Sequence, residues 1–182
     1  MTLRHGNGIV PSGLRAHARH LVVGLALVAV DQWTKRLVES FPGESLATAP
    51  MPVLGGAFHI TYGRNTGAAF GIMSGDTVST VLLVISVAAL GFIAWYYWVY
   101  RSSVWMRTAM TMIAAGAIGN LIDRFRLGYV VDFIDVDIGS YQWPYFNVAD
   151  SAISTGAAML IIYLVRQRSQ RSRTEAIDDA AQ

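Results

Sequence analysis

The chain has no cysteine, which removes disulfides, thiolate nucleophiles and cysteine-ligated metals from its chemistry. It has one lysine, Lys35, so a serine–lysine catalytic pair could use no other amine. The GIMSG stretch around Ser74 lacks the Gly-x-Ser-Gly order of an intramembrane serine protease. There is no HExxH, and the four histidines (His5, His17, His20 and His59) have no ligand-like spacing. Nothing in the pattern therefore asks for a metal or a cofactor. Charge is scarce as well: 14% of the 182 residues are Asp, Glu, Lys or Arg, against about 25% in an ordinary soluble domain. The net charge of +2 is too small to suggest a nucleic-acid partner.

What the chain has instead is apolar sequence, 53% of the total and clustered. A bilayer core of ~30 Å needs roughly 17 to 25 helical residues to cross it. Thr77 to Tyr100 supplies 24 without a charge and closes on WYYWVY, rings of the kind found at the membrane–water boundary. Leu21 to Val38 is a second candidate, interrupted by Asp31 and Lys35. Thr108 to Ile122 and Ser151 to Val165 are shorter, 15 uncharged residues each. Both carry small residues at i, i+4 (Ala115/Gly119 and Ala152/Gly156), a spacing that lets helix backbones approach closely in lipid. The expectation is an all-α polytopic membrane protein with four transmembrane helices. A soluble helical bundle and a cleaved secretory signal at Leu21 to Val30 are the bland alternatives.

Arginine sets the direction. Arg4, Arg15 and Arg19 precede the first span, Arg101 and Arg107 join the second to the third, and Arg166, Arg168, Arg171 and Arg173 follow the fourth. The positive-inside tendency then places both termini in the cytoplasm and the two longer loops outside. The expected division is a basic cytoplasmic tail over 1–17, a four-span membrane domain over 18–167 and a polar cytoplasmic tail over 168–182. In the first outer loop Phe58, Ile60 and Tyr62 alternate with His59 and Thr61, and Asn65-Thr66-Gly67 reads as a turn. A small extracytoplasmic β-rich platform is expected there.

The carboxylates raise the functional question, because a charge near lipid needs a partner, an exit to water or a task. Asp31 and Lys35, one helical turn apart, can neutralise each other. Asp123, next to Arg124 and one turn after Asn120, fits a charge-balanced helix end. Asp135 and Asp137 alternate with Ile134, Val136 and Ile138, as on the wet face of a surface segment. Asp132 in VVDF and Asp150 in FNVAD are harder to dismiss, since the last outward connection brings its two ends to one membrane surface. Two carboxylates sharing a half-dry site share one proton, which supplies a base and an acid at one pH. Two separately solvated or helix-capping aspartates remain the alternative.

Four segments together resemble one family, the lipoprotein signal peptidases or signal peptidase II. They are DQWTK (Asp31 to Lys35), RNTGAAF (Arg64 to Phe70), GAIGNLIDRFRLGYVVDF (Gly116 to Phe133) and FNVADSAI (Phe146 to Ile153), in family order and across most of Leu21 to Val165. Two departures are slight: Ala115 stands where the family often has another glycine, and the N-terminal tail is long. The resemblance implies an aspartic endopeptidase, without metal or cofactor, in the bacterial cytoplasmic (inner) membrane. It implies prolipoprotein substrates whose lipobox cysteine carries a diacylglyceryl group, cut just before that cysteine by a monomer in contact with membrane lipid. It also implies Asp132 and Asp150 as the catalytic pair. Asn65, Asn120, Arg124 and Asn147 would orient substrate or hold the pair, and Asp123 would fix Arg124 or the helix end. Asp31 and Lys35 would support the site. Two other classes fit the spans alone: a transporter using carboxylates as proton relays, and a scaffold packing through its Gly/Ala faces.

Overall fold

The computed structural model describes residues 12–41, 43–67, 76–99 and 103–180. Ser74, Arg101 and the last three residues of RNTGAAF lie outside them. Nine elements follow in order: α1 (Ser12–Glu39), α2 (Gly43–Thr48), β1 (Met51–Leu54), β2 (Phe58–Asn65), α3 (Asp76–Val99), α4 (Val104–Leu127), β3 (Val130–Ile138), β4 (Tyr141–Phe146) and α5 (Val148–Ala180).

Two of the long helices, α3 and α5, contain stretches long and apolar enough to cross a membrane. In α3 this is Thr80–Tyr97, none of it buried within the protein. A helix apolar on nearly every side, with none of this stretch buried, suits lipid. The other two long helices, α1 and α4, are less uniformly apolar, because Asp31, Lys35, Asn120 and Asp123 interrupt them. α5 extends well past the last apolar residues, into the polar stretch after Gln167. The helix runs on to Ala180, since nothing after Gly156 breaks it and Arg, Gln, Glu and Ala all favour helix.

Glycine sets how closely the helices pack. A Cβ on Gly116 would overlap the Ala149 carbonyl and lie 2.7 Å from Ile153 Cγ1. One on Gly119 would lie 2.5 Å from Asp31 Oδ2, and one on Gly156 would lie 2.7 Å from the Ala109 carbonyl. The missing side chains thus let α4 lie directly against α5 and receive α1 on its other side.

The expected platform is larger than the first loop. β1–β2 and β3–β4 are antiparallel hairpins from the two connections, and β2 pairs with β3 to make one sheet of order β1-β2-β3-β4. Register puts His59 opposite Asp135 and Gly63 opposite Asp132, with a bulge between Ile60 and Gly63. The sheet sits on the helix ends through Val38, Leu46 and Phe133, with Ile60, Tyr62, Ile134 and Val148 around them. Arg126 holds the ends of α4 and α1 together by gripping both oxygens of Glu39, at 2.8 and 2.5 Å.

Candidate active site

Two chain reversals build the site. α4 ends on Gly128, whose φ of 80° is the left-handed conformation that costs glycine least, and its N–H bonds the Arg124 carbonyl at 3.0 Å. The chain is thereby turned into β3, and Asp132 is its third residue. After β4, Asn147 starts α5. Its side-chain oxygen accepts the Asp150 N–H at 2.9 Å, and Asp150 Oδ2 accepts the Asn147 N–H at 3.2 Å. This reciprocal capping box fixes the Asp150 side chain at the first turn of the helix.

Asn147, fully buried, is also the link between the two carboxylates: its Nδ2 donates to Asp132 Oδ1 at 2.7 Å. One asparagine therefore bonds both aspartates. From β2, Asn65 Nδ2 donates to Asp132 Oδ2 at 2.9 Å, while its own oxygen accepts the Gly67 N–H at 2.8 Å. From α4, Asn120 Nδ2 donates to Asp150 Oδ1 at 2.7 Å. Asp132 is 3% exposed, and burial, followed by the Asp150 charge, pushes its pKa up to about 6. The amides of Asn65 and Asn147 and the Lys35 cation oppose that rise.

Beneath the pair lies a second charge cluster. Lys35 Nζ is 2.9 Å from Asp31 Oδ2 and 2.9 Å from Asp123 Oδ2, and all three side chains are at most 1% exposed. Its third donor goes to Asn120 Oδ1 at 2.9 Å, so every N–H of the ammonium is used. Asp31 Oδ1 takes the Ala149 N–H at 2.9 Å, and Asp123 Oδ2 takes the Val131 N–H at 3.1 Å. One network thus ties α1, α4, β3 and the start of α5.

The expected Asp31–Lys35 pair is present, but Asp123 departs from the sequence reading. It is buried on Lys35, not solvated beside Arg124, because helix packing brings a distant lysine to it. Arg124 is half-buried, and its Nη1 donates to the Asn120 carbonyl at a long 3.5 Å. Asp135 is corrected too: at 2% exposed it is no wet-face residue, since the neighbouring strands cover it. His59, Asp135 and Asp137 bring one potential ligand atom each within 4.8 Å of one another. Sequence spacing missed that group because the β2–β3 register creates it.

Tyr145 was also missed. Its ring crosses toward the bulge, where a Cβ on Gly63 would lie 3.0 Å from Cδ2 and 3.8 Å from Asp132 Cβ. The glycine leaves room for an aromatic wall beside Asp132, and the alternation in YQWPYF was the available signal.

Known proteins resemble the chain over most of its length. The family model described as signal peptidase (SPase) II matches residues 23–166. The lipoprotein signal peptidase of Halothermothrix orenii is 41% identical over 146 residues, covering 80% of this chain and 94% of the relative. That of Syntrophotalea carbinolica is 44% identical over 144 residues, covering 78% and 88%. A bacterial membrane enzyme solved in meso at 2.3 Å superposes with a TM-score of 0.74 at 32% identity, covering 84% of this chain and 91% of that one. A second, at 1.9 Å, gives 0.72 and 33%, covering 81% and 92%. By sequence and by fold, the chain belongs to the signal peptidase II family of membrane aspartic proteases.

Proposed function

We propose that the chain removes signal peptides from diacylglyceryl-modified prolipoproteins, cutting just before the lipidated cysteine with Asp132 and Asp150 as the catalytic pair. The observation that carries this is Asn147, which bonds both carboxylates at the junction of the sheet with α5. Two aspartates bridged by one asparagine in a largely buried site favour a single shared proton. The ionised carboxylate takes a proton from water as its oxygen attacks the peptide carbonyl. The protonated partner gives its proton to the carbonyl oxygen, forming a gem-diol. On collapse the C–N bond breaks, the proton gained from water goes to the departing amine, and one gem-diol hydroxyl returns its proton to the partner, so the pair again holds a single proton.

The membrane arrangement belongs to the same proposal. α1, α3, α4 and α5 are the four spans, with the 1–17 and 168–182 tails in the cytoplasm and residues 18–167 forming the peptidase domain. The pair then lies near the outer face, where acyl chains on a substrate cysteine keep the scissile bond at the interface. Asn65 and Arg124, at the rim, orient the peptide. The protein acts as a monomer on a lipid-anchored substrate without a metal.

The test is cleavage of a purified diacylglyceryl-modified prolipoprotein, with Asp132→Asn and Asp150→Asn run in parallel. Each substitution is expected to lower kcat by at least about 10³-fold while the protein stays folded. Full activity in either variant removes that residue from the pair. An unlipidated substrate should be cut poorly and a chelator should have no effect.

A further inference from the structure

Three buried charges, Asp31, Lys35 and Asp123, take no part in the chemistry proposed above. Charge balance alone does not require the third contact of Lys35. Two carboxylates already neutralise the ammonium, yet its remaining donor goes to the neutral Asn120 Oδ1 at 2.9 Å. That oxygen also accepts Asn147 Nδ2 at 3.1 Å. With an ammonium and an amide N–H both on it, the Asn120 side chain has one orientation. A flipped amide would press NH2 against a cation and against another NH2, far from water. The orientation that remains directs Asn120 Nδ2 at Asp150 Oδ1, 2.7 Å away.

We propose that Lys35 is a positioning residue: by holding the Asn120 carbonyl it keeps an N–H donor on Asp150, making Asp150 the ionised base and leaving the shared proton on Asp132. This rests on the catalytic-pair reading. The helix geometry agrees, because Asp150 accepts the Asn147 N–H in the first turn of α5, where the dipole favours negative charge. Asp132, on a strand, has no helix terminus behind it. The charges facing the pair are Asp31 and Lys35 from α1, Asp123 and Arg124 from α4, Asp132 from β3 and Asp150 from α5. β2 presents the neutral Asn65. Among the described residues Lys35 and Arg124 are thus the cations, and Lys35 is joined to a member of the pair through a single side chain.

The experiment uses the full-length protein in detergent with a diacylglyceryl-modified prolipoprotein. It measures kcat, KM and the pH profile of kcat/KM for Lys35→Met, Asn120→Ala and their combination. Lys35→Met with Asp31→Asn is added, because it preserves the net charge of the buried cluster and protects against simple unfolding. Lys35→Met is expected to lower kcat about 10- to 100-fold with KM within about twofold, as when an orienting partner behind a reactive group is lost. Its pH profile moves to higher pH, since a cation that favoured the ionised pair has gone. Combined with Asn120→Ala it does no further harm, because both act along one route.

A charge-balanced variant with unchanged kcat and profile overturns the proposal. So does a combined variant whose loss is the product of the single losses. Asn120→Ala with an unchanged kcat and profile overturns it whether or not the lysine variants fold. Activity in Asp132→Asn or Asp150→Asn overturns the pair itself. Inactivity in both, beside an unaltered Lys35→Met, removes the lysine's role alone.

Discussion

Asp132 shows at the scale of one residue how a reactive group costs stability. Burial and then the Asp150 charge push its carboxyl up to about 6 in the folded protein, from an ordinary value of 3.8. Because the folded pKa is the higher one, the folded state holds the proton more tightly. The stabilisation is complete below the unfolded value and is lost as pH rises through the folded one. The two values correspond to about 3 kcal/mol. Asp132→Asn cannot ionise, so relative to the natural protein it should gain that amount between about pH 4 and pH 7.5. Thermal unfolding of both proteins at both pH values measures it, and a stability difference independent of pH would contradict it. The motifs VVDF and FNVAD made Asp132 and Asp150 candidates, because acids without an adjacent base are visible in a linear string; that Asn147 bonds both is visible only in the fold. Asp123 was not legible in the same way. The base beside it in sequence is Arg124, whereas the base that meets it in space is Lys35, brought across by helix packing.

Among the elements, the α4–α5 contact carries the site, because α4 supplies Asn120 and Asp123 and α5 begins at the capping box around Asp150. Its closeness depends on Gly116 and Gly119. Gly119→Ala would press a methyl group onto Asp31 Oδ2 and the Ala149 methyl, and Gly116→Ala would strike the Ala149 carbonyl. Each is expected to destabilise the protein by about 1–3 kcal/mol through overpacking. Gly119→Ala should also lower activity at temperatures where it remains folded, since it displaces the partner of Lys35. Gly91→Ala in α3 is the control, because nothing lies within 4 Å of the added Cβ. Equal thermal stability of Gly119→Ala and this control would refute the packing argument. Helix-spaced small residues announced the close approach, and the alternation at Phe58 to Tyr62 announced a strand. The four-stranded sheet was not announced, because β2–β3 pairing joins segments on either side of α3 and α4, and no local pattern encodes that register. The same pairing buries Asp135 beside His59.

At the scale of the whole molecule, the proposal depends on which way the helices run through the membrane. From Val148 to Val165, with Asp150 its one charge near the start, α5 spans about 27 Å at 1.5 Å per residue, close to the ~30 Å of a bilayer core. Arg166, Arg168, Arg171 and Arg173 follow at once, on a helix that continues to Ala180. In the proposed orientation the positive-inside tendency places this run of arginines on the cytoplasmic side and the Asp150 end of the same helix on the outer side. Because the chain has no cysteine, the orientation can be tested with single introduced thiols and no background. Ser140→Cys lies in the exposed turn between β3 and β4, and Ser172→Cys on the exposed far end of α5. A membrane-impermeant maleimide added to intact spheroplasts should label the first and leave the second unlabelled until the membrane is broken. The reverse pattern would put the aspartates on the cytoplasmic side, away from substrates anchored in the outer leaflet. Labelling of both thiols in intact spheroplasts would mean that α5 does not cross the membrane, and the four-span arrangement would fall with it.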